Sequence, residues 1–123
     1  MANRSESGPE SGSESGPESG SGSGPNSGKA IGHVIIENER VRVTRWDFAQ
    51  PGDATGWHRH EHDYVIVPLF DGRLEIAHAG GTDISELTQG GSYFRQSGVE
   101  HDVRNGNDVP YSFVEIELLQ PAD

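Results

Sequence analysis

Three histidines are the residues of this sequence best placed to do chemistry. His58 and His60 form a His-x-His pair in Trp57-His58-Arg59-His60-Glu61-His62, and His101 follows in Gly98-Val99-Glu100-His101-Asp102. Alternate residues of a strand point to one face, so His58 and His60 present two imidazoles side by side. A third imidazole from another strand, His101, can close a facial set of metal ligands. Three nitrogens with open positions suit Fe(II), Ni(II), Zn(II), Cu(II) or Mn(II). Neutral imidazole is the ligating form, so binding should weaken as pH falls through the histidine range. His62 joins the same face if the strand runs on through Glu61, which makes it a further candidate ligand or pocket residue. Taken alone, a His-x-His pair is equally at home on a polar surface strand.

Other groups compete for roles around such a site. Tyr64 and Glu115 are the candidates for direct participation in a reaction, Glu115 as a base or as a group supporting a ligand. Glu115 and Glu117 share one face of the last strand, opposite Val114, Ile116 and Leu118, and that pattern predicts the glutamates to be exposed. Arg45, Arg59, Arg95 and Arg104 are each able to hold a substrate carboxylate, and each is equally suited to pairing with the many acids. Trp46, Trp57, Tyr64, Tyr93, Phe94 and Phe113 are candidates for a pocket wall, although aromatics in a small fold mostly build the core. His33 and His78 have no partner in the sequence and read as structural. His78 shares a face with Leu74 and Ile76 and so is able to reach an interior.

The elements that must position these side chains are short strands. Val34–Glu37, Val41–Phe48, Thr55–His60, Tyr64–Phe70, Arg73–His78, Thr82–Leu87, Ser92–Arg95, Glu100–Arg104 and Tyr111–Leu119 alternate or are rich in β-formers. Turn residues separate them, with Asp71-Gly72 reading as a hairpin and Gly80-Gly81 as a break. Pro68 inside an otherwise good strand points to an edge or a bulge. No helical period competes, so the fold class is all-β, a sandwich or barrel.

Composition narrows the function classes. The chain has 123 residues and a net charge of −11, which argues against nucleic acid and anionic membranes as partners. It has no cysteine, which excludes disulfides, thiolate ligands and thiol nucleophiles. No apolar run is long enough to span a bilayer, and a cytoplasmic location is expected. Residues 1–29 are mostly Gly, Ser, Pro and Glu, with the octet Ser5-Glu6-Ser7-Gly8-Pro9-Glu10-Ser11-Gly12 repeated unchanged at 13–20. Such a segment buries too little to offset its ordering entropy and is expected to be a disordered acidic tail. Residues 30–120 are left as one small domain with a thin core, for which a homodimer is expected.

These residues resemble the cupin superfamily, small double-stranded β-helix barrels of jelly-roll type. The first cupin motif is matched by Gly52, five residues, His58-Arg59-His60, and then Gly72; the second by Gly90, five residues, Gln96-Ser97-Gly98, His101 and Asn105. The stretch Trp57-His58-Arg59-His60-Glu61-His62-Asp63-Tyr64-Val65 is similar to small single-domain cupins labelled β-alanine degradation proteins or left uncharacterised. The resemblance covers essentially residues 31–119. Two positions depart from it. Gln96 replaces a proline, and Tyr64 or Val65 stands where the family places a glutamate ligand. Glu61 and Glu100 are no substitutes, because regular strands turn them to the opposite face. The resemblance therefore implies a three-histidine site, with Fe(II) first among its metals. It also implies a dioxygenase acting on a small chelating, oxygen-rich substrate. A non-redox isomerase, lyase or hydrolase using Zn, Ni or Mn stays open, as does a non-catalytic binding protein.

Overall fold

The computed structural model describes residues 28–119. The tail expected over residues 1–29 lies, up to residue 27, outside the described residues. Residues 28 and 29 are tied to the body of the fold. Lys29 forms a parallel bridge with Ala54, and Ala54 N–H donates to Gly28 O.

Nine strands make up the described chain: β1 (Ile31–Glu37), β2 (Val41–Phe48), β3 (His58–Arg59), β4 (Asp63–Pro68), β5 (Gly72–His78), β6 (Gly81–Leu87), β7 (Tyr93–Arg95), β8 (Glu100–Asn105) and β9 (Tyr111–Leu118). They form two sheets, ordered β1-β2-β9-β4-β7 and β3-β8-β5-β6, all pairs antiparallel. This is the all-β jelly-roll architecture expected from the sequence. Phe48, Tyr64, Ile66, Leu74, Leu87, Val103, Tyr111 and Phe113 pack between the sheets as the core.

Two turn expectations need correction. Asp71-Gly72 is not a hairpin, because β4 pairs with β9 and β7 while β5 pairs with β6 and β8. It is the corner where the chain changes sheets. Turn chemistry reports that the chain bends, not which strand it meets next. Gly72 is required there by close approach, since a Cβ would lie 2.8 Å from the Tyr111 ring. The true hairpin turns at Ala79-Gly80, where His78 pairs with Gly81. Pro68, in turn, lies on no edge strand but at the end of β4. It sits past the last residue that β7 pairs, Ile66, so its missing N–H costs no ladder bond on that side.

The faces of the five-stranded sheet are reversed from the simplest reading of β9. Tyr111, Phe113 and Glu115 point inward and are buried, whereas Val114, Ile116 and Leu118 are half-buried on the outer face. Register explains why. Directly paired antiparallel residues share a face, and the chain of pairs Ile36–Val43–Ile116–Val65–Phe94 crosses all five strands. These residues thus build an apolar outer surface, and the residues alternating with them, Thr44, Trp46, Tyr64, Ile66, Phe113 and Glu115 among them, face the interior. Every residue of β1 is exposed.

Candidate metal centre

His58 opens and His60 follows the two-residue strand β3, and His101 belongs to β8, which pairs with it. His58 and His101 are direct register partners. One ring nitrogen from each of the three histidines lies within 4.8 Å of the other two. Nε2 of His60 is 3.1 Å from Nε2 of His58 and 3.1 Å from Nε2 of His101. His60 and His101 are buried and His58 is half-buried.

The opposite edges of the rings set the tautomers. Gly56, in a left-handed conformation with φ of 87°, turns its carbonyl toward His58, whose Nδ1–H donates to it at 2.8 Å. Asp102 Oδ1 holds this turn by accepting from Gly56 N–H at 3.0 Å. Nδ1 of His60 faces Glu115 Oε2 at 3.4 Å, and Glu115 Oε1 accepts from the Trp46 indole N–H at 3.1 Å. With their Nδ1–H groups directed outward, the Nε2 atoms of His58 and His60 carry facing lone pairs. Such an arrangement is repulsive unless a cation lies between them. Two nitrogens about 2.1 Å from one ion at right angles are about 3.0 Å apart, close to the observed spacing. The donor set therefore fits a divalent transition metal.

Burial disfavours a proton as that cation. Desolvation, joined by repulsion from His58 and His101, lowers the His60 pKa to about 2. Desolvation and the His58 charge bring His101 to about 3, and burial also lowers His58. Burial acts oppositely on Glu115, whose pKa rises to about 7 with help from the charge of Glu117. Tyr64 is 2% exposed, its ring stacked 3.9 Å from that of His60, and burial raises its pKa so that it keeps its proton. The Tyr64 hydroxyl has no hydrogen-bond partner among the described residues.

Other candidates fall outside this group. His62 lies in the bend between β3 and β4 and is not among the clustered histidines. Glu61 and Glu100 are exposed, lie within ion-pair range of Arg59 and are not part of the histidine cluster. His78 is structural, since its Nδ1 accepts from Gly80 N–H and its Nε2–H donates to Asp83. His33 is exposed beside Asp47. Trp57 and Phe94 are exposed and wall no interior pocket. Glu115, expected to be exposed, is buried. Its link to Trp46 joins residues 69 positions apart and left no sequence signal.

A sequence profile described as the cupin domain matches residues 45–117. The beta-alanine degradation protein BauB of Pseudomonas aeruginosa is 47% identical over 90 residues, covering 73% of this chain and 94% of that protein. The crystal structure of a cupin domain from Bordetella pertussis Tohama I superposes with a TM-score of 0.72 at 51% identity, covering 75% of this chain and 95% of that one. A double-stranded β-helix protein of Klebsiella pneumoniae gives a TM-score of 0.62 at 25% identity, over 76% of this chain and 80% of its own.

Proposed function

We propose, from the premise that this chain belongs to the cupin domain family, that residues 30–120 form a metal-dependent enzyme acting on a small chelating, oxygen-rich anion by an Fe(II)-type dioxygenation. One observation carries the reading: three converging neutral nitrogens with no carboxylate among them. Tyr64 or Val65 stands where the family places a glutamate, and Tyr64 stacks on His60. A bound divalent ion there supplies undiminished Lewis acidity and, as iron, the redox capacity to combine O2 with a substrate. The protein's own residues do the rest. Gly56 and Glu115 orient His58 and His60 from behind. Tyr64 remains protonated as a donor beside the ligands. The half-enclosed barrel limits water around the reacting groups. The name of the Pseudomonas relative links that protein to β-alanine degradation, and small-molecule metabolism is what we take from it.

The test is metal content by mass spectrometry after purification without a nickel column, followed by oxygen uptake with β-diketones and catechols. Bound iron with oxygen uptake supports the reading. Tightly bound zinc or manganese without uptake would move the protein to non-redox isomerase, lyase or hydrolase chemistry. A protein that binds no transition metal overturns the assignment.

A second copy of the chain is the macromolecular partner we propose. The apolar row across the outer sheet and the exposed strand β1, with Ile31, Val34, Ile35 and Ile36 49–57% exposed, form a surface of the kind that pairs with a copy of itself. No helix among the described residues is long and apolar enough to cross a membrane. The cytoplasm is the compartment we assign.

A further inference from the structure

Next to the triad lies a cavity of about 580 Å³, lined by His101 on one side and by Arg95, Ile76 and Ser85 among others. Arg95 stands apart from most other arginines. Arg42 pairs with Glu37 and Glu117, Arg45 with Asp47, and Arg73 with Glu86; Arg59 lies within ion-pair range of Glu61 and Glu100. Arg95 makes no hydrogen bond or ion pair among the described residues. The two carboxylates on the cavity rim are already engaged, Asp83 by His78 at 3.0 Å and Glu100 by Arg59 at 3.4 Å. Arg95 is nonetheless held in place, its guanidinium 5.4 Å from the centroid of the Tyr93 ring. Its register partner across the β4–β7 ladder is Tyr64, the residue stacked on His60, so both side chains leave the sheet on the inner face.

We infer that Arg95 is a carboxylate-binding residue, and that the substrate carries an anionic group at the end opposite the oxygens it offers to the metal. The inference rests on the metal-site reading above and narrows its substrate class to small dicarboxylates or similar dianions with one chelating end. An unpaired guanidinium packed on an aromatic ring, beside carboxylates that already have partners, offers a planar two-pronged donor at little ordering cost.

The test uses full-length protein loaded with manganese and titrated calorimetrically with two matched pairs of acids. These are 2-hydroxyglutarate against 2-hydroxypentanoate, and 2-hydroxyadipate against 2-hydroxyhexanoate. Within each pair the chelating end is the same and only the distal carboxylate differs. At least one dicarboxylate should bind about tenfold tighter than its partner. Arg95→Met should erase that preference while leaving the monocarboxylate unchanged, and Arg95→Lys should restore part of it. Equal affinity within both pairs, or a preference that survives Arg95→Met, overturns the inference. Manganese content measured on the same samples separates the two levels. Without bound manganese the metal reading fails and this one with it, whereas full manganese with no preference sinks this one alone.

Discussion

Glu115, from the centre of the five-stranded sheet, meets His60, from the opposite sheet, with Oε2 3.4 Å from Nδ1 and both residues buried. The carboxylate stands behind the imidazole rather than within the histidine cluster. Its other oxygen is tied to Trp46, so it acts as a fixed stop for the imidazole. Removing such a partner typically lowers metal affinity by about 10- to 100-fold. Glu115→Ala should weaken binding by that order in a competition with a coloured chelator. Glu115→Gln, which retains an oxygen for the indole N–H, should lose less. Unchanged affinity in both variants would reduce Glu115 to a packing residue.

His58→Ala and His101→Ala should each take the metal from stoichiometric to trace, because two imidazoles no longer enclose the ion. Circular dichroism should remain that of the parent. His62→Ala, outside the cluster, should keep its metal. Full metal retention by a His58→Ala, His101→Ala double variant would remove the site from these residues.

The pH dependence of stability has a definite sign for the metal-free protein. His58, His60 and His101 have depressed pKa values in the fold, so their contribution is present above the unfolded value near 6.5. It is lost as pH falls from there toward about 3. Glu115 acts in the reverse sense. Its raised pKa favours the fold below about 4.5, and that contribution is lost as pH rises through about 7. In the Glu115→Gln variant only the histidines remain of these four, and the urea midpoint should drop steadily between pH 6.5 and pH 4. A flat profile in that variant would contradict the burial of the triad as neutral imidazoles.

Asn105, matched to the second motif, is structural. It is 2% exposed, its Nδ2 donates to Gln50 O and Val109 O, and its Oδ1 accepts from Asn107. Its backbone also exchanges bonds with Gly52 and Asp53. Asn105→Ala leaves two part-buried carbonyls without their donor and a void at a buried position, and should cost about 2–4 kcal/mol in a denaturant titration. The loss should be the same with and without metal, because no atom of Asn105 faces the triad.

The apolar row on the outer sheet predicts an association that charge would break. Ile36 and Phe94 lie at its two ends and are 49% and 52% exposed, so lysine is tolerated at both in the isolated chain. Ile36→Lys with Phe94→Lys should convert a dimer into a monomer by light scattering, with the far-ultraviolet spectrum unchanged. A parent that is monomeric at high concentration would refute the dimer directly.

The contrast between His101 and Glu115 shows how far the sequence reaches. His101 was legible because it matches the second motif of the cupin resemblance, whose fold brings its strand beside the His-x-His. Glu115 was legible only as a candidate, and its burial was not, because alternation defines two faces of a strand without saying which one turns inward. In β9 the greasy face looked like the core and is the outer surface. Arg95 was one arginine of four until the salt bridges of Arg45 and Arg59, and the place of Arg95 on the Tyr93 ring in the cavity wall, told them apart.

By itself the sequence determined what local chemistry determines. The strands follow from alternation and turn residues, the all-β class from the lack of any helical period, and the three candidate imidazoles from the His-x-His and His101. The tertiary structure decided which strands pair, and with that which side of each strand faces the interior. Pairing joins residues far apart in the chain, and register at distances of a few ångströms has no local signature. Only the folded sheet could place Glu115 behind His60, leave Tyr64 beside the ligands, and set an unpaired Arg95 in the cavity wall.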